Sequence, residues 1–200
     1  MHGIWQEILG GAANSSWLEL TAAGFGLLSV WLATRQSIAL YPTGLVSVGL
    51  YVYICGHYKL YADMAINAYY FVISVYGWVL WAEKKDARPA LPITTSSRRA
   101  IVLYGGVVLV GVGVIGAALR LFTDSDVPLW DAATTSLFAV AMVLMARKKI
   151  EHWMVWIIGN TMSVPLYVHK GLAFTAFQYV VFTVLAGQGL RRWQKALRDA

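Results

Sequence analysis

Trp153, Trp156 and Asn160 are spaced by three and four residues inside a long apolar stretch of the chain. Residues at these spacings share one face of an α-helix, so two indole rings and a carboxamide are predicted to point the same way. An indole face stacks on flat rings and attracts cations, and a carboxamide offers paired hydrogen-bond donors and acceptors. With Tyr167 further along the same face, the pattern indicates a binding site for a small, polar, aromatic ligand.

Three other apolar stretches carry similar polar and aromatic faces at helical spacing. One holds Asn67 and Tyr70, another holds Thr134, and the last holds Gln178. Polar side chains inside membrane segments are costly, so they tend to face the interior of a helix bundle or a water-filled cavity. We therefore predict that the faces converge on one site, with the substrate-binding residues Trp153, Trp156, Asn160, Gln178, Asn67, Tyr70, Thr134 and Tyr167.

Simpler interpretations compete for several aromatic and amide side chains. Asn67 and Gln178 occupy matching places in two similar stretches, and hydrogen bonding between helices would explain them without a ligand. Trp17, Trp130 and Trp193 lie at the predicted ends of apolar stretches, where tryptophan is enriched at the membrane interface. We predict interfacial anchoring for these three.

Catalytic, metal and cofactor chemistry find little support. Asp63 and Glu151 lie at stretch ends, where a carboxylate can reach water, so a proton relay is the minor interpretation for them. His57, His152 and His169 share no metal-ligand spacing. No Ser, His and Asp constellation indicates a nucleophile, and no GxxxxGK[ST] motif indicates a nucleotide-binding loop. We expect no enzyme activity, no metal site and no bound cofactor.

Composition and length place the faces in a membrane protein. The 200 residues are 58% hydrophobic and 13% charged, whereas soluble domains are about a quarter charged. Seven apolar stretches are each long enough for a helix of about 20 residues to cross a bilayer. The sequence predicts an all-α membrane protein with transmembrane helices at 17–34, 38–56, 60–82, 101–121, 130–146, 152–169 and 172–190.

The basic residues behind the net charge of +6 are unevenly distributed over the predicted loops. Thirteen lie on one side, at Arg35, in 84–99, in 147–149 and in 191–198, against Lys59, Arg120 and Lys170 on the other. The positive-inside rule then places the linker and the C-terminus in the cytoplasm and the N-terminus outside. The charge thus reports topology, and we expect no nucleic-acid partner.

The first three stretches are similar to the last three. Landmarks recur about 111 to 113 positions apart, in the pairs Trp17 and Trp130, Ala33 and Ala146, Lys59 and Lys170, Asn67 and Gln178, Phe71 and Phe182, and Trp81 and Trp193. The extra span between the units lets both copies keep the same orientation, which is one plan for transporters, with the substrate site between the repeats. We divide the chain into a first repeat at 17–82, a cytoplasmic linker with a linking helix at 83–129, and a second repeat at 130–193.

Several motifs resemble the PnuC vitamin-transporter family. The first half carries Leu60-Tyr61-Ala62-Asp63-Met64, Tyr69-Tyr70-Phe71 and Tyr76-Gly77-Trp78-Val79-Leu80-Trp81. The second half carries Ala146-Arg147-Lys148-Lys149-Ile150-Glu151-His152-Trp153-Met154-Val155-Trp156, which is similar to an A-R-K-x-x-E-x-W-x-x-W element, then Pro165-Leu166-Tyr167 and Gln178-Tyr179. The resemblance covers the chain from about Trp17 to Trp193.

The resemblance implies two three-helix bundles joined by a linking helix, a 3+1+3 arrangement related to that of the SWEET sugar transporters. It implies facilitated diffusion of an unphosphorylated vitamin, most often nicotinamide riboside, which a cytoplasmic kinase then traps. It also implies a homotrimer in the lipid of the bacterial inner membrane. The residues matching the family's ring-stacking tryptophans are Trp153 and Trp156, and those matching its carboxamides are Asn160 and Gln178.

One departure leaves the substrate open. Family members that carry nicotinamide riboside often have Gln where this chain has Asn67, and the shorter side chain reaches less far by one methylene. Thiamine and riboflavin, the substrates of the similar PnuT and PnuX branches, are the alternatives. A membrane receptor or scaffold is the alternative outside transport, but the matching faces in both repeats favour a transporter.

Overall fold

The computed structural model describes residues 16–57, 61–85, 88–89 and 91–199. Within these ranges the chain forms α1 (Trp17–Thr34), α2 (Leu40–His57), α3 (Tyr61–Ala82), β1 (Lys84–Lys85), β2 (Arg88–Pro89), α4 (Arg98–Phe122), α5 (Pro128–Ala146), α6 (His152–His169) and α7 (Ala173–Arg198). The two short strands pair antiparallel in the linker. Lys59, which entered the charge argument above, lies outside the described residues.

The seven helices confirm the predicted all-α architecture, and most helix ends fall close to the predicted ones. α1 and α6 have the predicted bounds, and Ser16 caps α1 by accepting the Glu19 backbone N–H at 3.2 Å while the Glu19 carboxylate accepts the Ser16 N–H at 2.8 Å. The prediction that the last helix ends at residue 190 is wrong. α7 continues to Arg198 because lysine and arginine are good helix formers and suit a C-terminal turn.

Six of the helices form a closed ring made of two rows. In the first row α1 packs on α2 and α2 on α3, and in the second row α5 packs on α6 and α6 on α7. The two rows are joined because α3 packs on α5 and α7 packs on α1, and α4 packs on α5 from outside the ring. The two contacts between the rows thus use equivalent helices, the first of one row and the last of the other.

Matching turns support the repeat. The turns after α1 and α5 each contain a residue other than glycine with positive φ, Gln36 (56°) and Lys148 (48°), which are 112 positions apart. Such residues are uncommon. In both turns a backbone N–H donates a hydrogen bond to the carbonyl five residues earlier. Ser37 donates to Leu32, and Lys149 donates to Leu144.

Much of the helix surface is apolar and exposed, as a lipid environment requires. Five helices in the described part are long and apolar enough to cross a membrane, namely α1, α3 from Asp63, α4, α5 and α7. α2 and α6, the middle helices of the two rows, are more polar. Among the described helices α4 is the most exposed, with residues such as Val102 (75%) and Leu109 (74%) largely uncovered.

The linker docks on the turn between α5 and α6. Thr94 pairs with this turn through its backbone, donating to the Lys148 carbonyl at 3.1 Å and accepting from Ile150 at 3.0 Å. The Glu151 carboxylate accepts the Ser96 backbone N–H at 2.7 Å and its hydroxyl at 3.0 Å. Glu151, for which the sequence left a proton relay open, therefore holds the linker. We call the end of the ring that carries these contacts the linker end.

Candidate ligand-binding site

Four aromatic rings from α5, α6 and α7 form a stack inside the ring of helices. Trp156 stacks on Phe138 with ring centroids 5.1 Å apart. Phe138 lies parallel to Tyr179 at 5.9 Å and an interplanar angle of 7°, and Tyr179 stacks on Tyr167 at 5.1 Å. Because Trp156 and Tyr167 lie on one helix, the stack extends about 16 Å along it at 1.5 Å per residue. We call these four residues the aromatic ladder.

Asn160 lies on α6 one turn beyond Trp156, alongside the ladder. Its side chain is 2% exposed, and its Oδ1 atom is buried with no hydrogen-bond partner among the described residues. An unpaired buried acceptor costs about 1–3 kcal/mol. The carboxamide is therefore poised to accept a hydrogen bond from a ligand donor.

Phe138 reaches its place in the ladder because residue 159 is glycine. A Cβ atom at Gly159 would collide with the ring atoms Cε1, Cδ1 and Cζ of Phe138. The ring therefore lies against the α6 backbone next to Asn160 and connects the rings of α6 to Tyr179 on α7.

The first row faces the ladder through α3. Tyr70 lies close enough to Tyr167 and Tyr179 for electrostatic interaction with both. Its neighbour Tyr69 donates its hydroxyl hydrogen to the Ala139 carbonyl on α5 at 3.0 Å. Trp156, Asn160, Tyr167 and Tyr70, four of the predicted site residues, are thus grouped at the ladder.

Three more predicted site residues contribute less directly. Asn67 donates its amide hydrogen to the Asp63 carbonyl on its own helix at 2.8 Å, and within the described ranges it forms no hydrogen bond to another helix. Thr134 is buried and donates to the Asp131 carbonyl at 3.0 Å, again on its own helix. Gln178 is half-buried on α7 beside Tyr179.

Trp153 is separated from this group. Its side chain is 1% exposed and packs between His152, at a centroid distance of 4.4 Å, and Trp193, at 5.8 Å. In this conformation no face of the ring is open to a ligand, which differs from the predicted stacking role. Spacing alone placed both tryptophans on one face, but Trp153 lies against α7 and Trp156 against α5.

The three tryptophans predicted to lie at the membrane interface occupy different environments. Trp17 is 85% exposed, as an interfacial side chain must be. Trp130 is half-buried and donates its indole N–H to the Met162 carbonyl at 3.1 Å. The prediction for Trp193 is wrong, because its side chain is 0% exposed and donates to the Ala33 carbonyl at 3.0 Å. The continuation of α7 places this residue inside the protein.

Phe138 and Tyr179 belong to the ladder but were not among the predicted site residues. Both carried a sequence signal, since Phe138 shares a helical face with Thr134 and Tyr179 follows Gln178. An aromatic residue in an apolar helix packs more often than it binds, so this signal alone does not separate the two roles.

Charged pairs occupy the end opposite the linker. Lys170 bridges to both Asp131 oxygens at 2.6 and 2.8 Å, and Asp131 also accepts the Ser125 hydroxyl at 2.8 Å. His169 lies 2.8 Å from Asp126, and their hydrogen bond holds the pKa of the Asp126 carboxyl below its usual value. Lys170 and Asp131 also interact electrostatically with Tyr167, so this end of the ladder lies near charged groups.

The site combines flat aromatic surfaces, tyrosine hydroxyls and one unpaired carboxamide oxygen within a ring of apolar helices. Flat rings stack on such surfaces, and the carboxamide fixes a polar substituent. In the described part of the chain, no cluster of three or more His, Cys, Asp or Glu side chains could hold a metal ion. The fold and composition define an integral membrane protein, and the ladder with Asn160 is its candidate site for a flat, polar molecule.

Known proteins share this architecture. The family model described as nicotinamide mononucleotide transporter matches residues 16–195. A crystal structure of the vitamin B3 transporter PnuC aligns with a TM-score of 0.74 and 27% identity, covering 98% of this chain and 88% of that one. The nicotinamide riboside transporter PnuC of Escherichia coli is 28% identical over 94% of this chain and 90% of its own length. The riboflavin/roseoflavin transporter RibM of Streptomyces davaonensis is 26% identical over 88% and 84%.

The chain belongs to the nicotinamide mononucleotide transporter family. The predicted resemblance to PnuC proteins is thereby confirmed, and its relatives are transporters.

Proposed function

We propose that this protein takes up an unphosphorylated vitamin, with nicotinamide riboside as the first candidate. The unpaired Asn160 oxygen beside the aromatic ladder carries the proposal, because it suits a ligand with a flat ring and an N–H or O–H donor. The PnuC relatives named for nicotinamide riboside support this substrate. RibM, named for riboflavin and roseoflavin, supports riboflavin as an alternative, and thiamine suits the same chemistry.

In the proposed mechanism the ring of the vitamin stacks against Trp156, and Asn160 accepts a hydrogen bond from its polar substituent. Tyr70 and Tyr167 close the site from the other row and from further along α6. Gln178 on α7, Asn67 on α3 and Thr134 on α5 would adjust the fit of the vitamin from the neighbouring helices. The division at 17–82, 83–129 and 130–193 is part of this proposal, since rocking of one repeat against the other would alternate access to the site.

Binding measurements identify the substrate. Purified protein titrated with nicotinamide riboside, thiamine and riboflavin should bind one of them at least tenfold more tightly than the others. A receptor or scaffold would show no flux of any of them across the membrane. Asn67→Gln, which restores the family's usual carboxamide, should shift preference towards nicotinamide riboside if the parent chain prefers thiamine.

We expect transport without energy coupling. The sequence contains no nucleotide-binding loop, and the two charged pairs of the described residues lie at the end of the bundle opposite the linker, where each carboxylate is already bound to its partner. Protein in liposomes should therefore move the preferred vitamin down its gradient without ATP or an ion gradient, with cytoplasmic phosphorylation retaining the product in the cell. A strict requirement for a sodium or proton gradient would contradict this and would return attention to Asp63.

We also propose that the linker end faces the cytoplasm of a bacterial inner membrane. A cysteine at Glu83 or Asp199, both exposed, should resist membrane-impermeant reagents added to intact cells and react in inverted vesicles. The background would carry Cys55→Ser. Labelling of either position in intact cells would reverse the orientation.

The assembly proposed here is a homotrimer held through α4. This helix lies outside the ring, and residues such as Val107 (50%) and Val110 (67%) are exposed. Either lipid or a second copy of the chain can cover such a surface, so cross-linking in native membranes is the appropriate measurement.

A further inference from the structure

Four aromatic residues at the linker end are related by the repeat. Tyr41 on α2 lies against Gly77 on α3, where an added Cβ would be 2.5 Å from the tyrosine oxygen. Trp153 on α6 lies against Gly189 on α7, where an added Cβ would be 2.5 Å from the indole ring. Both the aromatic residues and the glycines are 112 positions apart. Each middle helix thus inserts a ring against a glycine of the third helix in its own row.

One turn further along, each third helix reaches into the other row. Trp81 on α3 donates its indole N–H to the carbonyl of Ala146, the last residue of α5, at 3.1 Å. Trp193 on α7 donates to the carbonyl of Ala33, the second-last residue of α1, at 3.0 Å. Trp81 and Trp193 are also 112 positions apart. The two hydrogen bonds therefore cross between the rows in opposite directions.

These four aromatic residues, Tyr41, Trp81, Trp153 and Trp193, form what we call the aromatic clasp. Trp81 contacts Tyr41 edge-on at 5.3 Å and Trp193 at 6.0 Å, and Trp193 contacts Trp153 edge-on at 5.8 Å. Each of the four side chains is 6% exposed or less. The space between the rows at the linker end is thus filled by rings.

The linker covers the clasp. Leu91 and Ile93 of the linker, together with Leu197 of α7, pack against the same core cluster as the clasp. The bonds of Thr94 and Ser96 to the turn between α5 and α6 hold this segment in place. A route from the ladder to the linker end would have to part both the rings and this cover.

We propose that the aromatic clasp is the gate that closes the transport pathway at the linker end. The two Trp N–H to carbonyl bonds span the boundary between the rows, so a rocking movement of one row against the other breaks both. The conformation described here is the one closed at this end. The proposal rests on the two-row architecture and is independent of which vitamin is carried.

The test measures accessibility of a cysteine placed beyond the clasp. Ser163 is 0% exposed and lies three residues past Asn160 on α6, so Ser163→Cys in a Cys55→Ser background is a near-isosteric reporter. A membrane-impermeant thiol reagent is applied to the linker side, in vesicles whose orientation is set by a Glu83→Cys control. The reporter needs no substrate and no transport, so its result is separable from failure of the proposed function.

Trp81→Phe and Trp193→Phe each keep a ring and remove one indole N–H. Each should raise the labelling rate from the linker side about fivefold to tenfold, the value expected for one lost hydrogen bond. One movement breaks both bonds, so the double variant should raise the linker-side labelling rate by about the product of the two single increases. Labelling from the opposite side should stay unchanged. Trp78→Phe, on the same helix but exposed and outside the clasp, is the matched control and should change neither rate.

Glu151→Ala provides a second perturbation that leaves the rings intact. It releases the linker cover through the loss of both bonds to Ser96, and it should also raise linker-side labelling. Unchanged labelling in the tryptophan variants, equal increases from both sides, or a double variant no faster than the single ones would each overturn the gate.

Discussion

Trp156→Ala should weaken binding of the preferred vitamin about tenfold while leaving folding and membrane insertion intact. The ring stacks on Phe138 at 5.1 Å and lies one turn from Asn160, so its loss removes the flat surface at that end of the site. Stacking on a heteroaromatic cation contributes roughly 1–2 kcal/mol when desolvated, and about 1.4 kcal/mol corresponds to one decade of affinity. Isothermal titration of purified protein with the vitamin measures the change.

Trp17→Ala is the matched control, because that ring is 85% exposed and far along the chain from the ladder. The affinity of the Trp17→Ala variant for the preferred vitamin should be nearly unchanged. Should Trp156→Ala bind as tightly as the parent protein, the stacking surface would lie elsewhere, and Tyr179 and Tyr167 would be the next candidates.

The helical positions of the site were predictable from spacing, but the partners of each ring were not. Trp153 and Trp156 share a helical face by their three-residue spacing. Which of them meets a ligand depends on neighbours contributed by other helices. Trp153 is covered because Gly189 lets α7 approach it, and this close approach across helices leaves no periodic signal in α6 itself.

The error at Trp193 has a similar origin. Hydropathy falls at Arg191 and Arg192, which marks the end of an apolar stretch and favours an interfacial tryptophan. The helix does not end there, because nothing in the local sequence breaks it. Arg192 instead donates to the Thr34 hydroxyl at 3.2 Å, and Trp193 turns inwards beside α1.

The repeat was predicted with a register that varied from 111 to 113. In the structure, an offset of 112 relates Tyr41 to Trp153, Gly77 to Gly189 and Trp81 to Trp193. At this offset Asn67 pairs with Tyr179, a ladder residue, rather than with Gln178. Sequence comparison favours identical or similar letters, so it could not reveal positions whose residue types differ between the repeats.

Gly189→Ala should lower stability by about 1–3 kcal/mol, the cost of overpacking a filled interior. The added methyl would lie 2.5 Å from the Cη2 and Cζ2 atoms of Trp153. This ring is 1% exposed and enclosed by His152 and Trp193, so it has no free space to move into. Thermal unfolding in detergent should show a lower melting temperature. Gly77→Ala, which would press on Tyr41 in the equivalent place, should behave alike.

Gly187→Ala on the same helix separates packing from backbone effects. An added Cβ there meets no atom within 4 Å, and alanine favours a helix over glycine by about 1 kcal/mol, so stability should stay the same or rise. Trp153→Phe removes the ring atoms that Gly189→Ala would strike. The double variant should therefore lose less stability than the sum of the two single variants. Strict additivity would mean that the contact between α6 and α7 is not what requires glycine at this position.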